Sequence, residues 1–493
     1  MATIIQGTIS LLLLIPIATG IYRLYIHPLR RYPGPRLWAV SRLPWLASTV
    51  KGTIIHDLQS LHNQYGPVVR VAPNELSYIT PAAAKPIYQS NPEFPKDPMH
   101  LPSFHNGTPG ILAADHDHHR RYRRLLAGAF SDRGMRAQQG MIQSHVDLLI
   151  TRLRERCAAG AVDMCEWYNW TTFDIIGDLA FGESFGCLEK AATHEWIASI
   201  QGNVIAIPVI NAIRRLGLDW IIPLLAPKML LEKRAKNAQF TVDKVDARRQ
   251  HGSQPRGDLW DSVLGVDAKE GGMSRDEMIS NASAIVLAGS ETSATLLSGC
   301  TWLLLQPENM HVLEQLTRHV RSSFSSEAEI DLISVGRLDY MLAVIDEALR
   351  LYPPVPMQSN RVVVGSGGAV IAGGWVPEGT SVALQLYTAC RSSSNFHRPE
   401  EFLPERWLDN GPNSAFAADR REVSQPFSIG PRNCIGRQLA YAEMRLILAK
   451  ILWNFDLELD EAKMQGRDWL GEQGVWILWH KAPLWVRLSE AAH

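Results

Sequence analysis

From Met1 to Tyr22 the chain carries no charged residue, and Arg23, Arg30 and Arg31 follow. Twenty-two residues of helix would span about 33 Å, close to the hydrocarbon thickness of a bilayer. The pattern predicts one N-terminal transmembrane helix, with the basic side in the cytosol. A cleaved secretory signal would share the apolar run. Against it, the start lacks a basic region and no clear small-residue cleavage site follows. Tyr32-Pro33-Gly34-Pro35 cannot continue a helix and predicts a stiff turn. The chain therefore divides into a membrane anchor over 1–29, a Pro/Gly hinge over 30–36 and one body over 37–493.

In the body, apolar positions recur mostly at helical spacing. Asp276 to Leu305 is nearly uncharged, with Glu277 and Glu291 as its only internal acids. Apolar on most faces, it predicts a helix through the centre of the protein. Leu338 to Leu351 reads as a second helix, stopped by Pro353-Pro354, and Gln438 to Trp453 as a final long one. Short β-like runs stand at Val68 to Val71, Arg361 to Val364 and Ala369 to Ile371. The stretch 250–276 reads as a loop between helices. The expected fold class is mainly α with a small β portion.

Composition narrows the picture. Of the 493 residues 46% are hydrophobic, enough for a large core. A formal net charge of −1 gives no global field toward nucleic acid, so electrostatic docking must come from local patches. The six cysteines are dispersed without a C-x-x-C pair, which argues against a disulfide framework. Asn106, Asn169 and Asn281 open formal glycosylation sequons, chance matches if the body is cytosolic.

The strongest chemical signal is Phe427-Ser428-Ile429-Gly430-Pro431-Arg432-Asn433-Cys434-Ile435-Gly436. A thiolate that approaches a metal needs small neighbours. Gly430 can take the positive φ of a tight bulge, and Gly436 lets the backbone pass against a flat ring. Backbone N–H groups and the following helix N-terminus favour the thiolate. Arg432 could pair with a cofactor carboxylate, and Phe427 would cover the loop.

This F-x-x-G-x-R-x-C-x-G pattern resembles the heme-binding segment of the cytochrome P-450 family of heme-thiolate monooxygenases. The resemblance covers nearly the whole chain, and Tyr22 to Arg36 looks like fungal microsomal members. It implies the cytochrome P-450 fold and a heme b whose iron is held by Cys434. Glu347-Ala348-Leu349-Arg350 and Pro404-Glu405-Arg406-Trp407 match the segments that interlock in the family as a buried Glu–Arg–Arg network. On the central helix, Ala288-Gly289-Ser290-Glu291-Thr292-Ser293 matches the family's proton-delivering acid and alcohol, with small residues leaving room above the cofactor. In the basic run His118 to Arg124, His119 and Arg123 align with positions that bind a heme propionate, although His119 departs from the more usual Trp; Arg361 matches another such position. The histidines clustered there, with His116, also invite a metal-site reading, against which no further ligand cluster is evident.

The implied activity is NADPH- and O2-dependent insertion of one oxygen atom into a bulky apolar metabolite, in a terpenoid, polyketide or alkaloid pathway. The sulfur ligand pushes electron density onto iron and favours O–O cleavage. The chain has no flavin or nicotinamide motif, so electrons would come from NADPH through a separate flavoprotein reductase. The expected partners are that reductase, a small apolar substrate and the lipid bilayer, with no nucleic acid. The expected location is the endoplasmic reticulum membrane, single-pass, with the body cytosolic. Two other classes remain: a redox-independent heme-thiolate isomerase or dehydratase, against which the intact Glu291-Thr292 pair and the basic helix argue, and a non-catalytic heme sensor, which would need no proton-delivery pair.

Overall fold

The structure is a computed structural model that describes residues 2–98, 107–225, 228–252, 256–266, 270–408 and 411–492. It resolves into two compact units, each assembled from stretches distant in sequence. The first comprises Met1–His100, Pro356–Pro399 and Ala418–Asn433; the second comprises Leu101–Val355, Glu400–Ala417 and Cys434–His493. In chain order the strands are β1 (Val68–Ala72), β2 (Glu75–Tyr78), β3 (Val162–Asp163), β4 (Arg361–Val362), β5 (Ala369–Ile371), β6 (Gly374–Val376), β7 (Ser381–Leu384), β8 (Phe455–Leu459) and β9 (Trp485–Glu490). The helices used below are α1 (Ala2–Tyr25), α2 (His116–Leu126), α3 (Asp132–Cys157), α4 (Met164–Phe181), α5 (Arg275–Leu304), α6 (Asp339–Leu351) and α7 (Arg437–Asn454).

The first unit holds most of the β structure. Its four-stranded sheet runs β1-β2-β7-β4, with β2 and β7 parallel and the other neighbours antiparallel. Leu76, Tyr78, Val363, Val382, Leu384 and Phe396 share one buried core with Ile87. The Pro/Gly segment is tied to β1: Arg70 N–H donates to Pro33 O at 2.7 Å, and a Cβ on Gly34 would lie 2.5 Å from Arg70 O. The turn is thus stiff for two reasons, proline geometry and close contact with a strand. The helix expected as an anchor is α1, with Pro16 inside it and Arg23 in its last turn. Side chains 1–13 lie outside the described part, and among the described residues no helix is long and apolar enough to cross a membrane. The expectation of a transmembrane helix is not met among those residues.

The second unit is built around α5. Its start is fixed by a capping box: Glu277 N–H donates to Ser274 Oγ at 3.3 Å, and Ser274 N–H to Glu277 Oε2 at 2.8 Å. From Ser293 to Leu304 every residue is buried, which is why the run lacks charge. It packs along α4, itself buried on nearly all faces, and also meets α6 and α7. Gly299 is required where they cross, since a Cβ there would overlap the Tyr352 ring.

The expected Glu–Arg–Arg network stands in this unit, with all three side chains at 0% exposure. Arg350 donates to Glu347 through Nε and Nη2, both at 2.8 Å, and Arg406 Nε donates at 3.0 Å. Trp407 Nε1 and Leu403 N–H complete the shell, each at 2.9 Å. Burial alone would raise the Glu347 carboxyl, but Arg350 and Arg406 hold it below its ordinary value. Removing the acid strands two buried cations. Glu347→Ala should therefore cost about 3–5 kcal/mol in a denaturation midpoint. A loss near 1 kcal/mol would mark the network as dispensable.

Candidate active site

The cysteine loop is divided between the units, Phe427 to Asn433 in the first and Cys434 onward in the second. In the first unit the loop is tight, with Ser428 at φ 57° and Gly430 at φ 80°. Asn433 N–H donates to Gly430 O at 3.1 Å. A Cβ on Gly430 would collide with the Tyr88 carbonyl, so glycine is required both by φ and by space. Phe427 is half-buried beside this turn in sequence. Gly436 differs: its φ is −84°, and a Cβ would make only ordinary contacts with Phe130 (3.7 Å) and Cys434 Sγ (4.0 Å). The protein itself does not demand glycine there.

Arg432 ion-pairs with Glu93, a partner absent from the sequence reading. Next to them Lys96 bridges to Arg361 across a short β contact. Lys96, Arg361 and Arg432 thus all lie near Glu93. Burial first, then Arg361 and Arg432, push the Lys96 ammonium down to about 7. Burial also lowers Arg361, which stacks over the Tyr88 ring at 5.6 Å and leaves Nε and Nη1 buried without a hydrogen-bond partner. Buried donors without acceptors in an excess of positive charge are a receptor for an anion. Lys96 was missed because a lone lysine before Asp97-Pro98 carries no pattern.

In the second unit Cys434 has an accessible surface while burial is the largest influence on its thiol. Burial raises the thiol against the Gly436 N–H, Arg123 and Arg437, which pull it down. The expected lowering of the thiol is corrected on this point: in the protein alone desolvation wins. Arg123, half-buried on α2, is influenced by Cys434, which places the two near each other within the second unit. His119 lies one turn earlier on the same helix and is 6% exposed. Arg121 is committed elsewhere, ion-paired to Glu277 and donating to Gly272 O at 2.6 Å. His118 pairs with Asp115, and no group of three or more metal-ligating side chains occurs among the described residues.

One turn of α5 stays accessible: Ala288 is exposed, with Leu287 and Thr292 half-exposed. Ala288 leaves room, but Gly289 does not serve that purpose, because its Cβ would meet Ile176 Cδ1 at 2.8 Å on α4. The acid and the alcohol reach different partners. Thr292 Oγ1 donates to Ala288 O at 2.6 Å, leaving its lone pairs to accept. Glu291 turns away into an ion pair with Lys481 at 2.9 Å. Lys481 was another partner that sequence spacing did not reveal. Behind Thr292, Ser293 donates to Glu443 on α7 at 3.3 Å, and the second carboxyl oxygen of Glu443 has no partner.

Each unit by itself offers chemistry that fits a heme. In the second, Cys434 could supply a thiolate and Ala288 leaves an accessible turn; in the first, the unsatisfied buried donors of Arg361 suit a propionate. The cytochrome P450 family model matches residues 32–476. The chain belongs to the cytochrome P450 family. It is 71% identical over 488 residues to an averantin hydroxylase of Dothistroma septosporum, covering 99% of this chain and 91% of that protein. It is 66% identical to an averantin hydroxylase of Aspergillus parasiticus, covering 98% and 96%. It is 65% identical to the cytochrome P450 monooxygenase stcF of Emericella nidulans, covering 97% and 98%. At this level the function is shared: this P450 is a heme-thiolate monooxygenase of fungal secondary metabolism.

Two kinds of experiment test the site, the first on heme binding. Cys434→Ser should abolish the red-shifted Soret band of the reduced carbon monoxide complex, and Arg361→Leu should lower the heme-to-protein absorbance ratio; a retained band or an unchanged ratio contradicts the corresponding role. The second concerns pH. Burial pushes the Glu443 carboxyl up to about 8, from 4.5 in an unfolded chain. The folded state therefore holds a proton that the unfolded state releases, so this stabilisation is complete below pH 4.5 and is lost as pH rises through about 8. Glu443→Gln keeps the neutral form at every pH. Its melting temperature should gain on the parent between pH 5 and 9; a constant difference removes the assignment.

Proposed function

We propose that this P450 hydroxylates averantin or a near analogue of it. The observation that carries the reading is the 71% identity with an averantin hydroxylase across 99% of the chain. Apolar exposure supports it: Leu112 and Val355, in the stretches Leu101 to Leu112 and Val355 to Ser359 that the family resemblance aligns with its substrate pocket, are 40% and 36% exposed. No charge cluster accompanies them in those segments, which suits a bulky, weakly polar substrate.

A bound heme supplies the activation of O2, and the protein supplies orientation, protons and exclusion of water. Cys434 would hold the iron. Thr292, with its own proton given to Ala288 O, presents lone pairs that can hold a water at the accessible turn of α5. Glu291 is the acid through which protons reach that water. Such positioned transfer is worth about 10²–10⁴-fold. Electrons come from NADPH through a separate flavoprotein reductase. The exposed Arg120 and Arg124 on α2 suit its docking, whereas Arg121 does not, being held by Glu277. The uncharged run from Met1 to Tyr22, followed by arginines, anchors the protein to the endoplasmic reticulum membrane with the body in the cytosol.

Averantin, given to the enzyme with reductase and NADPH, should gain one oxygen atom by mass spectrometry. Turnover of other metabolites but not of averantin would overturn the substrate. Thr292→Ala should lower product formed per NADPH and release hydrogen peroxide, with the substrate-induced spectral shift nearly unchanged. Wild-type coupling in that variant would make the hydroxyl merely structural.

A further inference from the structure

Glu291 is buried, with its side chain 7% exposed, on a helix that carries no other charge beyond its first turn. A carboxylate in such surroundings neutralises itself unless a cation meets it. Here the cation is Lys481, whose side chain is 6% exposed. Its ammonium donates to Glu291 Oε2 at 2.9 Å and to Thr295 Oγ1 at 2.8 Å. Thr295 lies one turn beyond Glu291, so a single lysine grips two successive turns of α5.

The lysine is itself held from both sides of the chain. Just before it, Trp479 Nε1 donates to Pro353 O at 2.8 Å, and its ring packs against Tyr352 at 4.5 Å. Just after it, Ala482 O accepts from Trp469 Nε1 at 2.8 Å and from Cys165 Sγ at 3.4 Å. Leu484 exchanges hydrogen bonds with the start of α4: its N–H donates to Asp163 Oδ1 at 2.9 Å, and its carbonyl accepts from Met164 N–H at 2.9 Å. A flexible four-carbon stem thus leaves a fixed backbone and ends on a fixed pair of acceptors. Solvation of a surface lysine does not explain this arrangement.

We propose that Lys481 is a positioning residue for oxygen activation, pairing with the Glu291 carboxylate and orienting it so that it can accept a proton and pass it toward the accessible turn of α5. The assignment rests on the reading of Glu291 as the proton-delivering acid. It adds a cationic partner supplied by the C-terminal strap of residues 469–484. The other titratable groups around the pair are Asp163, Cys165 and Tyr352. Cys165 and Tyr352 are kept neutral by burial. Asp163 is raised by burial and drawn back by backbone N–H groups and by Lys481.

The test uses the heme-loaded enzyme as Lys481→Met, Lys481→Arg, Glu291→Gln and the Lys481→Met/Glu291→Gln double variant. Infrared difference spectra against Glu291→Gln isolate the Glu291 band, and Asp163→Asn identifies any contribution from the second acid. Lys481→Met should replace the ionised carboxylate band by a protonated carboxyl band at neutral pH, and Lys481→Arg should restore it. Turnover in Lys481→Met should fall about 10²-fold, the low end of a displaced proton relay, with substrate binding and the thiolate Soret band retained. The double variant should be no slower than Glu291→Gln. Should Glu291→Gln be impaired while Lys481→Met keeps the wild-type band and turnover, this proposal alone falls. Wild-type turnover in Glu291→Gln overturns the relay reading and the proposal with it. Loss of the Soret band in Lys481→Met with its return in Lys481→Arg, but no change of the Glu291 band in either, assigns the lysine to folding and overturns the positioning role.

Discussion

Carboxyl groups do not enter a protein interior without compensation, and the second unit compensates three of them in three ways. Glu347 is met by two arginines and two N–H donors and stays ionised. Glu291 is met by one lysine brought from the C-terminal end of the chain. Glu443 has no cation; a serine hydroxyl touches it, and it keeps its proton. All three lie on helices that pack on one another around α5 or belong to it. The rest of the unit depends on these solutions, because an uncharged helix can cross the centre only if the few acids near it are neutralised.

The first unit shows the converse problem. Lys96, Arg361 and Arg432 all lie near Glu93, and two donor atoms of Arg361 stay unsatisfied. An interior with surplus positive charge and idle donors is poor as a self-contained structure and good as a place for a dianionic edge. A bound carboxylate would offset part of what the folded protein alone forgoes at Arg361.

Much of this was legible in the sequence. Helices over 276–305, 338–351 and 438–453 appear within a residue of those limits, since an apolar stretch ended by proline or a capping serine has few alternatives. The Cys434 loop, the turn at Gly430 and the Glu347 network were readable because each depends on residues near one another in sequence. The ring of partners was not: Glu93 for Arg432, Lys481 for Glu291 and Glu443 for Ser293 are separated by 339, 190 and 150 positions. No local spacing reports such a pairing. A buried acid announces only that some cation is needed, not which. Gly289 was misread for a related reason: smallness on a helix signals a close neighbour, but the neighbour here is Ile176 rather than a ligand.

The way the chain is shared between the units has a consequence for how the protein is made. The first unit needs residues up to Asn433, and the stretches that complete it are separated by the main body of the second. Emerging from a ribosome, the first hundred residues meet no β4 or β7 partner until more than two hundred and fifty further residues have been synthesised. Strand β2 must therefore wait with one edge unpaired, an edge that other chains can use. Contacts this distant in sequence close late and slowly. Cys434 is thus set in place only after the chain has returned to the first unit and left it again. A chain cut just before Cys434 would lack the cysteine, the helix Arg437–Asn454 and Lys481 together.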